Sequence, residues 1–188
     1  MNRQKSIRLF GLLLVCMLLL SACTPRQEAV LVYVNEKAIT QQSLAFLKAM
    51  NELELAMAQE KMGEQAANQN MLLTQMIRLH AVAMLAEEKG YTFDAEQAKK
   101  ETETMKKEYE AHPTAAKIIE AYGAKQFWTD EAKMRRLLQL SQRVQYDMME
   151  KAKEQNPKAA ASEVRFQAEK AYEELVVSQI GTLKITLL

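Results

Sequence analysis

Disulfide chemistry has almost nothing to work with in this chain: of 188 residues only Cys16 and Cys23 are cysteine, and both fall in the first 23 positions. The chain beyond Cys23 must be held together by packing alone. Glycine (5) and proline (3) are also scarce. There is accordingly no glycine-rich loop to cradle a phosphate and no nucleophile-elbow setting around any serine. His80 and His112 are the only histidines, without HxxxH, HExxH or Cys/His spacing, which removes the usual means of holding a metal. Nor does one sign of charge dominate: 25 Lys+Arg face 24 Asp+Glu, so the basic surface of a nucleic-acid binder is missing. The carboxylates present, such as Glu101, Glu103 and Glu108, lie among lysines at helical spacing and read as solvated faces. No catalytic residue, cofactor or metal ligand has sequence support, and the chain reads as a non-enzyme.

One long apolar run does exist. Arg3, Lys5 and Arg8 precede Leu9 to Leu20, broken only by Gly11, and no acidic residue occurs before Glu28. A spanning helix needs roughly 20 apolar residues, so this run has the length of a signal-peptide core instead. Leu20-Ser21-Ala22-Cys23 comes next, with small residues before a thiol. This resembles the bacterial lipobox, which implies removal of residues 1–22 and a diacylglyceryl thioether on Cys23. An ordinary secretory signal cut at the same bond would leave Cys23 as an unpaired thiol in an oxidising compartment, since Cys16 departs with the leader. Lipid on Cys23 anchors the protein stably to the extracytoplasmic face of a membrane. In a cell with two membranes that could be the outer one, because Thr24 is not the aspartate that favours inner-membrane retention. Residues 23–28 then read as a lipidated tether and 29–188 as one domain, slightly acidic once the three leader cations are gone.

The composition of that domain, rich in Ala, Glu, Gln, Lys, Leu and Met, favours helix, because unbranched side chains lose little rotamer freedom there. Ala29 to Val34 is β-branched and predicts a strand ending at a turn, Asn35-Glu36-Lys37. Thr40 caps a helix from about Gln41. A second helix, roughly Asn70 to Lys89, is apolar over a wide arc and predicts the most buried position, with Gly90 closing it. Asp94 and Gln97 form a capping-box pattern for a charged helix to about Ala111, interrupted only by Ala98, Met105 and Tyr109 and so packing weakly. Pro113 ends that element; Thr114 caps a short helix through Tyr122, and Gly123 closes it. After Phe127-Trp128-Thr129-Asp130 a long helix runs to about Lys153, with Phe127 and Trp128 as its packing anchor. A last helix, about Ala159 to Ile180, ends at Gly181. Thr182 to Leu188 alternates and predicts a strand. A lone strand leaves its backbone groups unpaired, so the two end strands should pair with each other. The expected fold is mostly α, with a two-stranded sheet joining the ends and Leu188 close to the anchored surface.

Val34-Asn35-Glu36-Lys37-Ala38-Ile39-Thr40, then Leu72, Met76, Ile77, Val82, Ala86, Gly90 and Asp94, then Gly123, Phe127, Trp128, Arg135 and Arg136 make up a loose pattern. It resembles the N-terminal domain of the SurA/PrsA-type extracytoplasmic foldases, related to the peptide-binding part of trigger factor. Glu36 stands where those domains usually have glycine, which makes positive φ less comfortable there. The resemblance implies a helical clamp that holds unfolded or secreted polypeptides without ATP. It does not imply isomerase activity, because the interval Glu154 to Ala159 is far too short for a parvulin domain. Flexible thioethers suit surfaces that accept many apolar segments. Met50, Met57 and Met62 lie on or beside the first helix, before a break near Gly63. Phe46, Met50, Leu53 and Met57 are thus the candidate client-binding residues of a holdase; the alternative for the methionines is that they fill irregular gaps in a helical core. The alternative is an adaptor binding one specific envelope protein. His80 reads as a partly buried structural residue and His112 as a solvated one.

Overall fold

The computed structural model describes residues 28–58 and 68–188. The expected leader, Cys23, the expected tether up to residue 27, Met62 and Gly63 lie outside the described residues. Strand β1 (Val30–Val34) meets β2 (Lys37–Thr40) across a tight turn, with Val34 opposite Lys37. At its other edge β1 pairs antiparallel with β3 (Ile185–Leu187), so the order is β2-β1-β3. The two ends of the domain are therefore joined as expected, but the sheet has three strands and not two. The extra strand is Lys37–Thr40, a segment that carries no alternation of its own and is held by pairing. Asn35 is the only non-glycine with positive φ (53°) among the described residues. The left-handed position of the turn thus falls on Asn35, which tolerates it, and Glu36 does not need to be glycine. Asn35 also ties the turn to the far end of the chain: its N–H donates to the Lys184 carbonyl (2.7 Å), and its Oδ1 accepts from the Lys184 N–H (2.9 Å).

Six helices fill the rest of the described chain: α1 (Gln41–Met57), α2 (Gln69–Glu88), α3 (Ala95–Ala111), α4 (Pro113–Tyr122), α5 (Ala124–Gln155) and α6 (Ala161–Thr182). Thr40 caps α1 in a reciprocal box with Ser43. Gly90 (φ 83°) closes α2 in the left-handed conformation. Four local expectations need correction. The Asp94 side chain accepts from the Gln97 N–H, but the Asp94 N–H donates to Gln139 on α5 and not to Gln97, so the box is half local and half tertiary. The cap of α4 is His112, whose Nδ1 accepts from the Ala115 N–H; Thr114 already lies inside the helix behind Pro113 at its first position. Finally, α5 begins directly after Gly123 (φ 98°), so Phe127 to Asp130 form its opening turns, while Gly181 sits within α6 and does not end it.

Packing divides along the length of α5. Near its start, Val32, Val34 and Ile39 of the sheet, Phe46 and Leu53 of α1, Met76 of α2, Ile119 of α4 and Phe127 share one core. In the middle, Val82 and Leu85 of α2 meet Leu140 and Val144 of α5 and Val176 of α6. At the far end only Ala152, Val164 and Ala168 are buried together. Helix α2 touches α1, α5, α6 and both β1 and β2, the central position its wide apolar arc predicts. Helix α3 buries little beyond Ala98 and Tyr109, with Met105 half-buried, as its sequence implies.

Candidate functional site

A cleft of about 250 Å³ opens where β2, α1, α2 and α5 converge. Its floor is Phe46, Met76, Met134 and Leu137; Glu28, Gln42, His80, Asp130 and Lys133 stand around it. The floor is formed by helical spacing: Met76 and His80 lie four residues apart on α2, as do Asp130 and Met134 on α5. Thr40 starts α1 so that Gln42 faces the junction of α4 and α5, where its Nε2 donates to Asp130 Oδ2 on α5 (2.9 Å) and to Tyr122 Oη at the end of α4 (2.6 Å).

Asp130 is the organising group. It is buried, and its carboxylate accepts from Tyr122 Oη (2.9 Å), Gln126 Nε2 (3.0 Å) and Lys133 Nζ (3.3 Å) besides Gln42. Burial alone would raise its pKa, but the hydrogen bonds from Gln126, Gln42, Tyr122 and Lys133 outweigh it and hold the carboxyl below the usual carboxylate range. The same environment, burial first and the hydrogen bond to Asp130 next, pushes the Tyr122 phenol well above its ordinary value. Lys133 also lies 3.8 Å from Glu28, whose Oε2 accepts from Thr40 Oγ1 (2.9 Å). His80 is held below its ordinary pKa by burial and then by Lys37, which favours the neutral imidazole. The cleft thus offers an apolar, thioether-rich floor inside a charged rim.

Of the residues the sequence proposes for client binding, Phe46 alone touches this cleft, as part of its floor. Phe46 and Leu53 are 0% exposed, Met50 is buried, and only Met57, at 39%, reaches solvent. Spaced four, three and four residues apart, they form one stripe that α1 turns toward the core. The helix itself does border the cleft, but of this stripe only Met57 presents an open surface. The opposite side of α1 forms a shallow hollow against α4, lined by Ala45, Ala49, Ile118 and Ala121; the alanines at i and i+4 are its only signal in the sequence. Phe127 and Trp128 do anchor α5: their rings lie 5.0 Å apart, with Phe46 5.2 Å from Phe127 and Tyr109 stacked 6.5 Å from Trp128. His80 is half-buried as expected, and His112, also half-buried, is engaged as a cap.

Beside the cleft, Glu131 faces the other way and is fully buried, taking hydrogen bonds from Thr102 Oγ1 (2.8 Å) and from Arg135. This pair fastens α3 to α5 and offers no open position. Among the described residues no group of three or more His, Cys, Asp or Glu side chains could hold a metal ion, and no helix is long and apolar enough to cross a membrane. No family model, no curated protein and no solved structure matches the chain.

Proposed function

We propose that the mature chain is a membrane-anchored extracytoplasmic holdase, tethered through lipid on Cys23 and built on the plan of the foldase N-terminal domain without an isomerase domain. The observation that carries this reading is the cleft of Phe46, Met76, Met134 and Leu137 inside its charged rim. Unbranched thioethers adapt to differently shaped apolar groups, and a cleft of this size engages only a short stretch of client at a time. Binding is then weak, tolerant of sequence and independent of ATP. The lipobox at Leu20 to Cys23 supports a station where exported chains emerge, and the short link Asn156–Ala160 between α5 and α6 leaves no room for a parvulin domain.

A second reading, an adaptor for one particular envelope protein, is favoured by one specific observation. Met50 and Leu53 are committed to the core, and Phe46, Met76 and Met134 beneath the cleft are almost covered by their neighbours, so the apolar surface available is narrower than a general holdase would use. Two measurements separate the readings. A holdase fragment, residues 24–188, suppresses aggregation of an unfolded secreted protein at a few-fold molar excess; no suppression there removes the holdase reading. Crosslinking in intact cells yields a broad, weak client set for a holdase and one near-stoichiometric partner for an adaptor.

A further inference from the structure

The corner of the sheet where the described chain begins carries apolar side chains that nothing in the fold covers. Leu187 is 70% exposed and Leu188 75%, the two most exposed large apolar residues among those described. Leu187 lies opposite Val32, and the Leu188 N–H donates to the Leu31 carbonyl at 3.0 Å. Direct partners in an antiparallel pair share a face, so Leu187 projects on the Val32 side of the sheet and Leu188 on the opposite, Leu31 side. This corner is also where the tether enters: the Ala29 carbonyl, two residues from Leu31, accepts from the Gln41 N–H at 2.8 Å.

From this placement we infer that Leu187 and Leu188 form a second membrane contact, inserting into the lipid interface beside the anchor. The inference rests on the lipid-anchored reading of Cys23. Ala29 lies only six positions after Cys23, and fully extended that link spans at most about 20 Å. The corner is therefore held within reach of the bilayer whichever way the domain turns. Two adjacent leucines, one ending β3 and one just beyond it on the opposite face, argue for lipid over a second copy of this chain. A protein surface packed on one face would leave the other leucine in water, and pairing along the free edge of β3 would cover neither side chain. An acyl layer surrounds both faces at once, in the way interfacial segments bury apolar groups some 5–10 Å deep. Glu28, an acidic side chain at this corner, is paired with Lys133 and Thr40, which reduces the side-chain charge opposing contact with an anionic surface.

The consequence for the proposed function is orientation. Asp130 is bonded to Gln42, close to this corner, and α5 runs about 38 Å from Asp130 to its end at Gln155. One lipidated residue acts as a swivel; two contacts fix which side of the domain faces the bilayer.

The test uses the full chain carrying its lipid, reconstituted in vesicles of phosphatidylglycerol and phosphatidylethanolamine in equal parts, with and without bromine on the acyl chains. Leu187→Trp is compared with Phe166→Trp, an α6 position of similar exposure, 67%, lying well along α5 from this corner. The native Trp128 signal is subtracted from both, and Leu188→Trp replaces Leu187→Trp if that variant does not fold. The expected result is emission from position 187 that is blue-shifted and quenched severalfold more strongly than from position 166. Equal quenching at the two positions, weak or strong, overturns the inference while leaving the anchor standing, and so does dimerisation that shields position 187 from bromine. A mass spectrum showing no diacylglyceryl group on Cys23 overturns both the anchor and this second contact.

Discussion

The two ends of α5 differ sharply in what holds them. At the start, Phe127 is fully buried with the rings of Phe46, Tyr122 and Trp128 within 6 Å, and the sheet, α1, α2 and α4 all contribute to one core. At the other end α5 packs on α6 alone, through Ala152, Val164 and Ala168, with Met148 and Met149 half-buried beside them. Apolar burial stabilises by about 25 cal/mol per Å², so large rings at one end and alanines at the other mean that the free energy of folding is concentrated near the cleft. The far hairpin is helical because α5 has no glycine or proline from Ala124 to Gln155, rather than because its core is substantial. The proximal end is the rigid platform that shapes the cleft, and the distal hairpin is the part able to open locally.

The strongest way to break this contrast is to hollow out the proximal end. Phe127→Ala removes the ring that three other aromatic side chains touch, and should cost about 3–5 kcal/mol, read as a lowered urea midpoint. A loss below about 1 kcal/mol would show that the aromatic cluster is not the keystone its burial implies.

Asp130→Asn tests the polar half of the same platform. Four donors converge on that carboxylate, and an amide offers them one oxygen, so the expected cost at neutral pH is about 1–3 kcal/mol. The pH profile has a definite sign. The folded carboxyl titrates below the value near 3.9 of an unfolded aspartate. Its contribution is therefore complete above about pH 4 and is lost as the pH falls from there through the folded pKa. Unfolding free energies measured from about pH 6 down to about 2.5 should fall more steeply in the parent than in the variant. Parallel curves would mean that Asp130 adds nothing through its charge.

How much of the molecule is legible in its sequence depends on how far apart the interacting residues lie. The helices, the cap at Thr40, the closing Gly90 and the pairing of the end strands rest on signals within a few residues, or on the demand that a lone strand find a partner. Lys37–Thr40 escapes detection as a strand because four residues with two polar members have no period; pairing with Val30–Val34 makes them β. The start of α5 is hidden by Gly123, which reads as the end of one helix when it both ends α4 and precedes α5. The cleft is largely illegible: Gln42 and Asp130 are 88 residues apart, and no local pattern links them. Phe46, Met50, Leu53 and Met57 illustrate the opposite hazard, since a stripe at helical spacing marks a buried face whether the burying partner is a client or the domain itself.

The smallest effect is expected at the distal hairpin, and it sharpens the comparison most. Val164→Ala deletes part of the largest buried side chain in that cluster. With solvent close by, the neighbours can settle into the space, so the global cost should be about 1 kcal/mol or less, at the low end for core truncations. The informative reading is local. If the hairpin opens independently, amides of Val164 to Ala168 should exchange faster in the variant, while those of Val32 and Val34, sealed in the proximal core, keep the parent rate. Equal acceleration in β1 would mean that the hairpin and the sheet open only together. The free energy would then be shared along all of α5, and the cleft would owe its shape to the far end as much as to the rings beside it.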